Sequence, residues 1–179
     1  MTNIGTYSYK SFLIHLCFFT FVVEIKPVSL MHIIIADNQE IFCEGLKFLL
    51  SKSGKHQITV SPEFLLLETQ LKSGTFDMLI IDFEHCWGVT ASTLATFSVL
   101  SPATKIIILT NNETDEAIIT CLESNIDGYI LKSCSKTEFN ETIEGVMQGK
   151  KMYCQPVLKV LCNQYINIKP KKNDPEQLS

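Results

Sequence analysis

Short apolar, β-branched segments recur along this chain, and most of them stop abruptly at a polar residue. His32 to Ala36 (His-Ile-Ile-Ile-Ala) runs into Asp37-Asn38. Met78 to Ile81 runs into Asp82, Ile106 to Leu109 into Thr110, and Tyr129 to Leu131 into Lys132. Gln57 to Val60 is a briefer segment of the same kind. Continuous apolar runs of this length read as strands buried on both faces.

The stretches between them carry helical spacing. Glu40 to Ser51 places Ile41, Phe42, Leu46, Leu49 and Leu50 along one face. Pro62 to Leu71 offers proline at a helix start. Thr90 to Leu100 is a third helix, and Glu113 to Glu123 a fourth, with acids in its first turn. Ser135-x-x-Glu138 forms a capping-box pattern before Phe139, Ile143, Val146 and Met147, and Gly149 closes that helix. Five strand–helix units from Met31 to about Gly149 predict an α/β fold, a doubly wound five-stranded parallel sheet.

Composition narrows the function classes. An apolar fraction of 46% with 19% charged residues excludes a disordered chain. All 15 basic residues are lysine, against 19 acids, for a net charge of −4. Without arginine the chain lacks the fork that reads guanine and clamps phosphate, so it is a poor nucleic-acid binder. Seven cysteines, odd in number and without a Cys-x-x-Cys pair, fit reduced thiols in the cytosol better than zinc or disulfides.

Phe12 to Val23 is greasy but shorter than the ~20 residues a spanning helix needs, and no small-residue cleavage site follows it. Met31, directly before the first strand, offers a start of its own. Residues 1–30 are therefore read as an extension outside the fold, 31–150 as the domain, and 151–179 as a terminal helix and linker. No membrane association is expected.

In an open α/β sheet, ligands bind beyond the carboxyl ends of the strands. A parallel arrangement brings Asp37-Asn38, Asp82, Thr110 and Lys132 to one edge. The first loop has no glycine and repels a bare phosphate, which argues against a P-loop or dinucleotide site. A hard divalent cation suits it better, since Mg²⁺ takes one or two carboxylates with waters and phosphate oxygens. The set reads as a site for phosphoryl transfer to a carboxylate, with Asp82 as nucleophile and Thr110 and Lys132 on the phosphoryl oxygens.

These segments resemble the receiver domain of bacterial two-component response regulators, most closely the LuxR/NarL-type transcriptional regulators. The resemblance rests on Ile35-Ala36-Asp37-Asn38-Gln39-Glu40-Ile41-Phe42-Cys43-Glu44-Gly45-Leu46 and Phe76-Asp77-Met78-Leu79-Ile80-Ile81-Asp82. Ile107-Ile108-Leu109-Thr110, Asp127-Gly128-Tyr129-Ile130-Leu131-Lys132 and Tyr153-Cys154-Gln155-Pro156 extend it over about residues 31–166. It implies a flavodoxin-like (βα)5 sheet of order 2-1-3-4-5. It implies a non-enzymatic, cytoplasmic phosphoprotein whose Asp82 receives phosphate from a sensor histidine kinase. Asp37, Asn38, Asp82 and the backbone carbonyl of Glu84 would hold Mg²⁺, Thr110 and Lys132 would bind the phosphoryl group, and Tyr129 would be the switch aromatic. A second copy of the chain is a candidate partner. DNA would be reached only through a helix-turn-helix domain that this sequence lacks.

Two departures stand out. The family usually has two acids where this chain has Asp37-Asn38, so Mg²⁺ should bind more weakly. The family's Met-Pro-Gly turn is replaced here by Glu84-His85-Cys86-Trp87. A phosphorylation-independent pseudo-receiver is the alternative these changes suggest. An aspartyl-phosphate phosphatase, suggested faintly by Asp82-Phe83-Glu84, lacks a second acid and spare length. Blander readings also exist for single residues: Asp37 and Asp82 as turn or cap formers, Tyr129 as a half-buried strand aromatic, Lys150-Lys151 as solvated linker charge.

Overall fold

The computed structural model describes residues 30–168, except 55, 85–88 and 112–113. Residues 1–29 of the expected extension and most of the expected linker therefore lie outside the described residues. Strands and helices alternate: β1 (His32–Ala36), α1 (Glu40–Ser53), β2 (Gln57–Val60), α2 (Phe64–Ser73), β3 (Met78–Ile81), α3 (Ala91–Leu100), β4 (Lys105–Thr110), α4 (Asp115–Glu123), β5 (Gly128–Leu131), α5 (Lys136–Met147), β6 (Met152–Tyr153) and α6 (Gln155–Ile168).

All strands are parallel in one sheet of order β2-β1-β3-β4-β5-β6. The expected order 2-1-3-4-5 is thus extended by a sixth strand, a correction to the five-stranded expectation. β6 exists because the edge of β5 still offers backbone acceptors. Met152 N–H donates to the Asp127 carbonyl at 3.0 Å and Cys154 N–H to that of Tyr129 at 2.9 Å. Lys151 is no bystander there: its ammonium bonds the Ile126 carbonyl at 2.7 Å and Asp127 Oδ1 at 3.3 Å. Lys151 remains exposed, as its reading as solvated charge expects, but it also ties the β6 entry to the end of the 126–127 turn.

The apolar strand runs form the core. β3 and the inner residues of β1 and β4 are buried, and Leu67, Leu94, Ile118, Phe139 and Val157 pack over them from the helices. Burial of this kind stabilises by roughly 1.5–3 kcal/mol per large side chain. Helix starts follow their side chains. Thr90 and Thr93 form a reciprocal capping box at α3, and Ser135 Oγ accepts from Glu138 N–H at α5. The α2 helix begins at Phe64 rather than Pro62, because Ser61 N–H still bonds the Ile35 carbonyl at 2.8 Å and keeps the chain in the sheet.

Acids also mark the opposite, amino-terminal edge of the sheet. Asp77 Oδ2 accepts from His32 N–H at 2.7 Å and Asp127 Oδ2 from Ile106 N–H at 3.0 Å, so each closes the start of a neighbouring strand. The sheet's order reverses between β1 and β3, the position at which doubly wound folds place their ligands.

Candidate phosphoacceptor site

The register builds the site. Ala36 lies opposite Ile81, so the next residues, Asp37 and Asp82, emerge side by side. Thr110 lies opposite Leu131 at the end of β4, and Lys132 follows immediately. The Lys132 N–H bonds the Thr110 carbonyl at 2.9 Å, which holds the last two strand ends together.

The two acids share one local geometry. Asp37 Oδ1 accepts from Gln39 N–H at 2.8 Å, and Asp82 Oδ1 accepts from Glu84 N–H at 2.8 Å. Each is a turn in which a carboxylate satisfies a backbone donor two residues on. The second oxygen of each is left for other work, and both go to the same cation. Lys132 Nζ lies 2.6 Å from Asp37 Oδ2 and 2.5 Å from Asp82 Oδ2. The side chains are 5% (Lys132), 3% (Asp37) and 0% (Asp82) exposed, so water does little to screen them.

An ammonium has three donors. The third goes to Gln39 Oε1 at 2.7 Å, and the Phe42 ring lies 4.3 Å from Nζ on the same face of α1. Gln39 and Phe42 went unrecognised as site residues in the sequence. Phe42 reads there as one more apolar helix position, and Gln39 as a loop residue. Their spacing of three on one helix, starting at a strand end, was the available signal.

The remaining expected residues fall as follows. Thr110 and Tyr129 are buried, with the Tyr129 ring inside the core cluster. Asn38 is exposed, as is Glu84, at the turn after Asp82. Beneath the site the Cys43 thiol donates to the Asp37 carbonyl at 3.4 Å. Burial, and then the Asp37 carboxylate, push that thiol above its ordinary pKa. His85 and Cys86, in the turn that replaces the family's Met-Pro-Gly, lie outside the described residues.

Among the described residues no group of three or more His, Cys, Asp or Glu converges on a metal position. Two carboxylates do converge, both bound to the one ammonium. Hard oxygen donors of that number fit Mg²⁺, which keeps several waters.

An acid pair and a buried lysine thus meet at the switch point of a doubly wound parallel sheet. The chain belongs to the response regulator receiver domain family, whose model matches residues 33–144. It is similar to the uncharacterized transcriptional regulatory protein YxjL of Bacillus subtilis (strain 168), 27% identical over 133 residues, which cover 69% of this chain and 57% of YxjL. It is also similar to the oxygen regulatory protein NreC of Staphylococcus epidermidis (strain ATCC 12228), 25% identical over 140 residues, 76% of this chain and 64% of NreC. The chain thus spans 57–64% of the length of these relatives. In fold it matches the isolated REC domain of RcsB from Salmonella enterica serovar Typhimurium, with a TM-score of 0.66, 22% identity, and coverage of 73% of this chain and 98% of that one. Its relatives are response regulators of the NarL/LuxR type, and receiver domains are regulatory modules that generally bind Mg²⁺ where they are phosphorylated.

Proposed function

We propose that this chain is a phosphoacceptor: Asp82 takes a phosphoryl group from a sensor histidine kinase, and the change alters a surface that controls transcription through an output domain. The observation that carries the reading is the Lys132 ammonium held between two buried carboxylates on adjacent strand ends. In such a transfer Asp82 Oδ attacks phosphorus, the bond from phosphorus to the donor histidine's imidazole nitrogen breaks, and that nitrogen leaves with the electron pair. In this reading Lys132 follows the negative charge onto the phosphoryl oxygens, and Thr110, at the end of β4, bonds one of them. Tyr129, one strand over, is the side chain whose packing responds when Thr110 moves. Asp37, Asp82, the Glu84 carbonyl and Asn38 are the residues that would hold Mg²⁺, and the ion's contribution there is neutralisation of the phosphoryl charge. A cytoplasmic setting, a histidine kinase and a second copy of the chain are the partners and place this reading implies. The relatives named as regulators support the transcriptional output.

One observation favours a second reading. Asn38 is exposed, and the two acids already share an internal cation. A pseudo-receiver that uses its fold as a constitutive interaction module would tolerate both.

Intact-mass spectrometry after incubation with Mg²⁺ and acetyl phosphate separates the two. A phosphate adduct on the parent chain and none on Asp82→Asn is the expected result. No adduct on the parent, at Mg²⁺ concentrations that saturate other receivers, would sink the phosphoacceptor reading and leave the interaction module.

A further inference from the structure

Gln39 occupies the N-cap of α1 and makes no side-chain cap bond to that helix. N-cap positions favour Ser, Thr, Asp and Asn, whose short side chains satisfy a free helix N–H. Gln39 does something else with its side chain. Its Oε1 takes the third proton of Lys132 at 2.7 Å while its own N–H holds Asp37 Oδ1 at 2.8 Å. One residue thus touches both the cation and one of the carboxylates that the cation joins.

From this we infer that Gln39 is a positioning residue for phosphoryl transfer, an inference that rests on the phosphoacceptor reading of Asp82. When a phosphoryl group is transferred from acetyl phosphate, the bond from Asp82 oxygen to phosphorus forms, the bond from phosphorus to the acetate oxygen breaks, and acetate leaves with the electron pair. No proton is required. Through that step Lys132 must give up one of its three acceptors, the Asp82 oxygen, and bond a phosphoryl oxygen instead. Gln39 and Asp37 keep the other two donors fixed, so the ammonium exchanges a single partner and does not wander. The helix forgoes its side-chain cap to supply this anchor.

Two variants test this in the full chain. Gln39→Ser removes the long acceptor and offers α1 a good cap. Gln39→Glu keeps an oxygen within reach of Lys132. Three quantities are read: the rate of phosphate-adduct formation with acetyl phosphate and Mg²⁺, the thermal midpoint, and the visibility of the Lys132 ammonium protons in a ¹⁵N–¹H spectrum recorded without phosphodonor. Protons held by three acceptors exchange slowly with water and give a signal. The expected result for Gln39→Ser is adduct formation about tenfold slower, the scale of one lost charge-assisted hydrogen bond. Its midpoint stays equal or rises, and the ammonium signal disappears. Gln39→Glu restores the signal and most of the rate. An unchanged rate in Gln39→Ser overturns the inference, as does a loss of rate that tracks a fall in midpoint and is not restored by Gln39→Glu. An adduct on the parent that ignores Gln39 overturns only this inference, whereas no adduct on the parent overturns the phosphoacceptor reading beneath it as well.

Discussion

Replacing Lys132 by methionine removes the cation from between Asp37 and Asp82 while keeping most of the side chain's bulk. Both Oδ2 atoms bond the same nitrogen, so they lie no more than about 5 Å apart, and at an effective dielectric of ~20 two unit charges at that separation repel by roughly 3 kcal/mol. Truncating one member of a buried pair costs about 3–5 kcal/mol in general, which agrees. The expected loss for Lys132→Met at pH 7.5 is therefore about 3 kcal/mol, or roughly 10 °C in melting temperature for a chain of this size. Urea denaturation followed by circular dichroism, without divalent cations, measures it; urea is uncharged and leaves the electrostatics unscreened. The double variant Asp37→Asn/Lys132→Met leaves Asp82 with no facing carboxylate and should recover about 2 kcal/mol, since the two positions are coupled. A Lys132→Met protein as stable as the parent, or a double variant with no recovery, would refute the reasoning. The carboxylates would then be free to move apart, and Lys132 would not be the counter-ion that holds them.

Three further outcomes are expected. His56 Nδ1 accepts from Met31 N–H at 3.4 Å, and burial lowers its pKa below the ordinary 6.5. Its contribution to stability is fully present above pH 6.5 and is lost as pH falls through that value towards the lower, folded-state pKa. The stability gap between the parent and His56→Asn should accordingly be larger at pH 7.5 than at pH 5.5 in urea titrations. Iodoacetamide at pH 8 followed by peptide mapping should label exposed Cys162 readily and spare Cys121, which is buried and whose pKa is pushed up to about 12. Ile80→Ala, in the middle of the sheet, should cost about 3–4 kcal/mol, while Leu65→Ala on the exposed side of α2 should stay within about 0.5 kcal/mol in the same titration.

The central strands were legible because their residues permit little else. Ile33-Ile34-Ile35 and Ile106-Ile107-Ile108 are too short for a core helix and too apolar for a loop. Their polar successors then fall at one edge by topology alone, and the register shows Asp37, Asp82 and Lys132 meeting there. What the sequence concealed has physical reasons. β6 is two residues long, too short for any periodicity, and is held by β5's spare acceptors and by Lys151. Pro62 looks like a helix start, but Ser61 is still committed to the ladder. The Gln39 amide leaves only its spacing of three from Phe42 as a trace, because its partner is 93 residues away along the chain.

That separation has a consequence for how the protein comes into being. The ammonium and its acceptors are drawn from the ends of three strands, β1, β3 and β5, and from the start of α1. None of these pairings is local, and loop-closure entropy makes such contacts late and cooperative. A nascent or half-folded chain has Asp82 but no cluster around it, only a solvated carboxylate like any other. The site is in effect a checksum on the fold: every crossover between residues 37 and 132 must be closed in register before the charges meet. Any chemistry done at Asp82 is therefore reserved for molecules that have finished folding.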